Sequence, residues 1–199
     1  MLFLVLENQL FLIISLFFSA CLFLNSIALK SQPVKSRAFG LAFAIPFILN
    51  TTAFLTSPYQ KSSSAKIFLF GQLLLILACT IIVLVKEDSS ILKLFYVLPF
   101  ILVWAACIFS SSDLYSSCYW SFYFADIALI LVNLVLVFNS MFQKKKQVIP
   151  AHIGLFMMSA SLGIWLLSDA LTIEAVIIAG MGYGLCTLYY YRNIKQPRF

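Results

Sequence analysis

The chain has 199 residues, 63% of them hydrophobic and only 10% charged, with 13 Lys and Arg against seven Asp and Glu. A soluble domain of this size carries about 25% charged residues, and without them it cannot cover a water-facing surface. The composition therefore excludes an ordinary soluble enzyme and points to an all-α, polytopic transmembrane helix bundle.

Seven apolar runs have spanning length: Leu10–Leu29, Ala38–Leu55, Ile67–Val85, Ile91–Phe109, Trp120–Phe138, Val148–Leu167 and Leu171–Tyr191. Each must be helical, because backbone groups in hydrocarbon have to bond within their own segment, and the runs lack the alternation of a barrel. The first follows Glu7 rather than a basic stretch and is about 20 residues long, so it reads as a retained helix and not as a signal peptide. The second contains Pro46, tolerated in a membrane helix with a local adjustment. The third carries Gln72 and Thr80, eight residues apart and so on one face. After the fourth comes SSSDLYSSCY, with Asp113, then the aromatic cluster Tyr115, Tyr119, Trp120 and Tyr123, suited to an interfacial belt.

The fifth run holds Asp126. The spacing of Asp126, Ile130, Asn133 and Val137 puts the acid and the amide on one helical stripe. Asp126 lies six residues past Trp120, roughly 9 Å along the helix. A charge there costs a few kcal/mol unless it is paired, hydrated or neutralised, so it is expected to face the bundle interior, either donating one interhelical hydrogen bond that fixes the packing or joining an outward-opening polar pocket with Asp169 or Asp113. The sixth run brings His152, the only histidine, next to Pro150, and then Ser159, with Ser168 at its end. A lone interfacial histidine reads as a helix-start residue, and one imidazole makes no metal site. Asp169 and Glu174 mark the turn into the seventh run, where AGMGYG places Gly180 and Gly184 four apart, the spacing of close helix packing.

The breaks are short and polar, and the chain reads as a single domain over residues 1–199. Lys and Arg favour cytoplasmic loops. Lys30, Lys35, Arg37, Lys86, Lys93, Lys144, Lys145, Lys146, Arg192, Lys195 and Arg198 fall on one side of a seven-span threading, eleven residues, and only Lys61 and Lys66 on the other. This places the N-terminus outside and the C-terminus in the cytoplasm, in a plasma or bacterial inner membrane. It also makes the net charge of +6 a topology signal and a contact for lipid headgroups, with no nucleic-acid partner. Glu7, Asp113, Asp126, Asp169 and Glu174 then gather at or just beneath the outer face.

Three function classes fit. The first is a non-enzymatic receptor, carrier or binding bundle with an acidic outward-facing pocket drawn from Asp126, Asn133, Asp169, Asp113, Ser168 and Gln72. The second is a lipid-modifying enzyme using two carboxyl groups. The stretch SASLGIWLLSDALTI, Ser159 to Ile173, resembles a segment of the lysoplasmalogenase-like membrane family. That resemblance implies vinyl-ether cleavage of lysolipids begun by protonation, with Ser168 and Asp169 in the matching element. The family usually has eight spans, and its earlier Gly-Asp element and later His-Tyr region have no clear counterpart here. The third is an accessory subunit whose partner is another membrane protein. No GxSxG, HExxH, P-loop or Cys–His pair is present. The five cysteines, Cys21, Cys79, Cys107, Cys118 and Cys186, form no CxxC pair and read as small hydrophobes, and no cofactor or metal is expected.

Overall fold

A computed structural model describes residues 2–27, 34–58, 61–87, 98, 101, 116–167 and 172–194. Six helices run through them: α1 (Leu2–Ile27), α2 (Val34–Thr56), α3 (Lys61–Glu87), α4 (Ser116–Phe142), α5 (Ile149–Leu167) and α6 (Thr172–Ile194). No strand is present among the described residues. Stretches long and apolar enough to cross a membrane occur in four helices: Lys66–Leu84 in α3, Phe122–Phe142 in α4, Ile149–Leu167 in α5 and Ile173–Arg192 in α6. The described apolar stretches of α1 and α2, Leu12–Leu24 and Ala42–Thr56, are shorter. The fourth apolar run, Ile91–Phe109, lies outside the described residues apart from Leu98 and Ile101, both exposed.

The helix α3 is the centre of the bundle and packs against α1, α2, α4 and α5. Its sequence explains why. Phe68, Leu69, Leu73, Leu75, Ile76, Ala78, Cys79, Ile82, Val83 and Leu84 are all buried, and the half-buried Lys66, Ile67, Phe70, Leu74, Leu77 and Ile81 keep to one stripe, so most of the circumference faces neighbouring helices. A helix apolar all round has no solvent face to keep. The helices α1 and α6 close the bundle on one side, α6 lying against α5 and α1, while α4 sits against α5 and α3. Phenylalanines divide between two roles. Phe43 and Phe68 are core residues, Phe43 edge-on to Tyr190 and Phe68 edge-on to Trp165, whereas Phe17, Phe124, Phe138 and Phe142 are exposed. Outward-facing apolar side chains of this kind are what a hydrocarbon solvent requires.

The helix α2 runs unbroken through Pro46, which is buried. The proline has no N–H, so the Ala42 carbonyl loses its intrahelical donor. Past the proline, Thr51 and Thr52 donate to the carbonyls of Phe47 and Ile48, at 2.8 and 2.9 Å. Between α4 and α5 the chain turns through residues 143–148. The Lys144 N–H donates to Met141 and the Lys145 N–H to Ser140, each at 3.1 Å, which satisfies two carbonyls left over by the helix end. Lys144 adopts φ 52°, the left-handed conformation this kind of turn demands and which glycine usually supplies.

Glycine sets the α5–α6 distance. A Cβ on Gly154 would lie 2.8 Å from the Gly182 carbonyl oxygen and 2.9 Å from the Cys186 sulfur, and a Cβ on Gly182 would lie 2.8 Å from the Gly154 carbonyl. The buried stripe of α6 is Ala175, Ala179, Gly182 and Cys186. The Gly180/Gly184 pair singled out by its spacing is off this stripe, and nothing lies within 4 Å of where either Cβ would be. Gly154→Ala is therefore expected to destabilise the bundle by about 1–3 kcal/mol through overpacking. Gly180→Ala and Gly184→Ala should leave it unchanged or gain up to about 1 kcal/mol from lower unfolded-chain freedom. Reversible unfolding in detergent micelles separates the two groups.

Candidate functional site

Two buried polar clusters lie within the bundle among the described residues. The first joins four helices in a chain of donors and acceptors. The Tyr183 hydroxyl on α6 donates to Gln72 Oε1 on α3. Gln72 Nε2 donates to Asn50 Oδ1 on α2 at 3.0 Å, and Asn50 Nδ2 donates to Ser19 Oγ on α1 at 3.4 Å. Ser19 passes its own proton to the Leu16 carbonyl, 3.0 Å away. All four side chains are buried. The backbone makes this possible at Gly71, where a Cβ would stand only 2.6 Å from Asn50 Oδ1, so α2 and α3 approach closely enough for the two amides to meet. The ring of Tyr183 is stacked on Phe18, centroids 5.2 Å apart, which fixes the direction of its hydroxyl.

The second cluster lies between α3, α4 and α5. Asp126 is 0% exposed, and among the described residues neither carboxyl oxygen has a hydrogen-bond partner. It faces Gly163 of α5. A Cβ at Gly163 would be 3.0 Å from Asp126 Oδ2 and 3.2 Å from Ile130 Cδ1. Two turns along the same stripe, Asn133 is also wholly buried, and its Oδ1 is 3.4 Å from Thr80 Oγ1. Thr80 has one proton, and its closer partner is the Ile76 carbonyl at 2.8 Å. The Thr80 oxygen is then best served by the amide NH₂ of Asn133, and in either amide orientation one end of Asn133 is left over for another group. On α5, His152, Ser159 and Gly163 are spaced seven and four residues apart, so they share one side of the helix, the side that Gly163 turns to α4. Ser159 and His152 are buried, and the Ser159 hydroxyl bonds to the Leu155 and Phe156 carbonyls of its own helix.

Of the residues the sequence singled out, Asp126 and Asn133 share a buried face as their spacing requires. Gln72 belongs to the other cluster, bonded to Asn50 and Tyr183. Asp113, Ser168 and Asp169 lie outside the described residues. Sequence reasoning passed over Ser19, Asn50, Tyr183 and Gly163. Asn50 had a signal, an amide inside an apolar run, and Ser19 had the same weaker one. Gly163 had none, because its role depends on which residue of α4 it faces. Among the described residues no group of three His, Cys, Asp or Glu side chains is placed to hold a metal ion. Cys79 and Cys186 are buried free thiols, and Cys186 points at the Ala151 carbonyl, 3.8 Å away.

The chemistry of the two clusters differs. In the first, each donor has an acceptor, so the cluster holds helices together. In the second, Asp126 offers two unused acceptors and Asn133 one unused amide end, so it can take up a ligand. Removing the centre of the first cluster should therefore cost stability alone. Gln72→Leu leaves the Tyr183 hydroxyl and the Asn50 carbonyl oxygen without partners, and a loss of about 1–2 kcal/mol is expected in detergent unfolding. The double variant Gln72→Leu, Tyr183→Phe removes one orphan and should recover part of that loss. No protein-family model, no curated protein and no solved structure matches this chain, so its function rests on the residues themselves.

Proposed function

We propose that this chain is a multi-pass membrane protein that works as a small receptor, carrier or binding bundle, and that its ligand docks at Asp126. One observation carries the reading: a carboxyl group with no exposed surface and no hydrogen-bond partner among the described residues sits within a membrane-length apolar helix. An acid inside a membrane helix is costly unless it is paired, hydrated or neutralised, about 2.5–3.5 kcal/mol at the helix centre and less toward an end, where Asp126 lies. A bundle held by other contacts has no structural need for that cost, whereas a binding site does. The ligand chemistry follows from the unused groups. Two acceptors on Asp126 favour a cation or a compact donor such as an ammonium group, and the free end of the Asn133 amide gives a second polar contact. In the seven-span threading, with the N-terminus outside and the C-terminus in the cytoplasm, Ser168, Asp169 and Asp113 fall in sequence on the outer side, the side nearer Asp126. The eleven-to-two distribution of Lys and Arg supports that threading.

Titration of the purified protein in nanodiscs with ammonium, methylammonium and tetramethylammonium salts tests the site. Asp126→Asn is expected to weaken binding at least tenfold, and unchanged affinity would remove Asp126 from the site. The threading has its own test. Single cysteines placed at Lys61, Lys145 and Arg192 in a background lacking the native thiols should react with an impermeant maleimide from opposite sides. Lys61 should label from outside and the other two only after the membrane is opened. Labelling of positions 145 and 192 on different sides overturns the seven-span count.

A further inference from the structure

The buried polar groups of α3, α4 and α5 form more than a single docking point. The helices α4 and α5 are joined by the short turn 143–148 and pack along their length, so they run antiparallel. Asp126 stands level with Gly163 at one end. Ser140 and His152, both buried, lie at the turn end. Between them are Asn133 with Thr80 beside it and, on α5, Ser159. Asn133 is seven residues from Asp126, roughly 10 Å along the axis, and His152 is eleven residues from Gly163, roughly 16 Å. The column thus covers about half of a hydrocarbon layer roughly 30 Å thick. Every member except the glycine can both accept and donate: carboxyl, hydroxyl, amide and imidazole.

We propose that this column conducts protons between Asp126 and His152. The inference rests on the reading of Asp126 as a working group and names the proton as its ligand. A proton taken up by the Asp126 carboxylate passes through bridging water and the Ser159 and Thr80 hydroxyls, each accepting one proton as it gives up its own, while the Asn133 amide holds the line by hydrogen bonds, to the imidazole of His152, which releases a proton at the far end. One positive charge moves per event, and no bond other than those to hydrogen is made or broken. Two features of the structure favour this path. The two Asp126 oxygens and one end of the Asn133 amide have no other engagement among the described residues, so they are available at each step. Gly163 presents no side chain to Asp126, which keeps the carboxyl clear on the α5 side. The other titratable residues on the elements packed against α4 are Lys61, Lys66, Cys79, Lys86 and Glu87 of α3, and α4 itself carries Cys118, Tyr119 and Tyr123. The lysines and the glutamate lie toward the ends of α3, away from Thr80. Cys79 is buried in the core, next to Thr80 in sequence, and among the described residues it is the titratable neighbour at mid-column height.

The test uses the full chain reconstituted in liposomes that contain a pH-sensitive dye, with a potassium diffusion potential, negative inside, set by valinomycin. The native protein is expected to acidify the lumen at least tenfold faster than protein-free vesicles do. Asp126→Asn should return the rate to the protein-free level, and Ser159→Val, which removes a relay hydroxyl without touching either end, should slow it at least fivefold. Gly180→Ala, remote from the column, should match the native rate. A native rate equal to that of protein-free vesicles overturns the proposal, as does a folded Asp126→Asn or Ser159→Val variant that conducts like the native protein. Ammonium binding that depends on Asp126 without any proton flux sinks the column and leaves the binding bundle standing. Flux that depends on Asp126 without ammonium binding upholds the column and removes the organic ligand.

Discussion

Hydrocarbon gives a polar side chain no water to return to, so each amide or hydroxyl within a bundle of this kind must find its partner on another helix or on its own backbone. The chain from Tyr183 through Gln72 and Asn50 to Ser19 meets that condition with one residue from each of four helices. Its donors all point the same way, from α6 toward α1, and the last proton ends on a backbone carbonyl. A directional chain of this sort fixes more than distance. It sets the rotation of each helix about its own axis, since turning Gln72 by one position would strand two neighbours at once. The apolar contacts around it, such as Phe18 on Tyr183 and Phe43 on Tyr190, then pack against helices whose faces are already chosen.

The helix α4 stands outside that arrangement. It contributes nothing to the four-helix chain, and Asn133 approaches Thr80 of α3 only at the long distance of 3.4 Å. It is held instead by apolar packing on α5 and α3, through Phe122, Ala125, Leu129, Val132 and Leu136. Dispersion and close fit are non-directional, so they tolerate small rotations that a hydrogen-bond chain would not. The acid that has no hydrogen-bond partner among the described residues is therefore on a helix that takes no part in the directional chain. That is the place where a change in the state of one side chain can be accommodated without dismantling the core.

Much of the fold was legible in the sequence because hydrophobic length in a membrane is a direct physical requirement. Six of the seven apolar runs coincide with helices to within a few residues at most ends, and even the close pair α5 and α6 are distinct, α5 ending at Leu167 and α6 beginning at Thr172, with Glu174 in the first turn of α6. The shared face of Asp126 and Asn133 was also legible, since periodicity within one helix needs no knowledge of its neighbours. What spacing could not supply was pairing between helices. Gln72 looked like a companion of Asp126 because both are polar and buried, but the choice of Asn50 as its partner depends on the close approach at Gly71. The same limit explains the glycines of α6. Gly180 and Gly184 have the spacing associated with packing, yet Gly182 makes the contact, because Ala175, Ala179 and Cys186 place the interface on its side.

Gly163 joins the two themes. On α5 two glycines have opposite consequences. Gly154 is filled by its neighbour, with the Gly182 backbone and the Cys186 sulfur pressed into the space of the missing side chain. At Gly163 the corresponding space is met by a carboxyl oxygen and a methyl group, neither of which gains a hydrogen bond there. If the purpose of Gly163 were only close packing, an apolar residue on α4 would fill the space at lower cost, because it carries no desolvation penalty. A carboxyl group placed against a bare Cα and an isoleucine side chain receives no hydrogen bond from the described residues around it. Its desolvation is offset when a partner reaches it, and in the column proposed above, lined by hydroxyls, an amide and an imidazole, the smallest such partner is a proton.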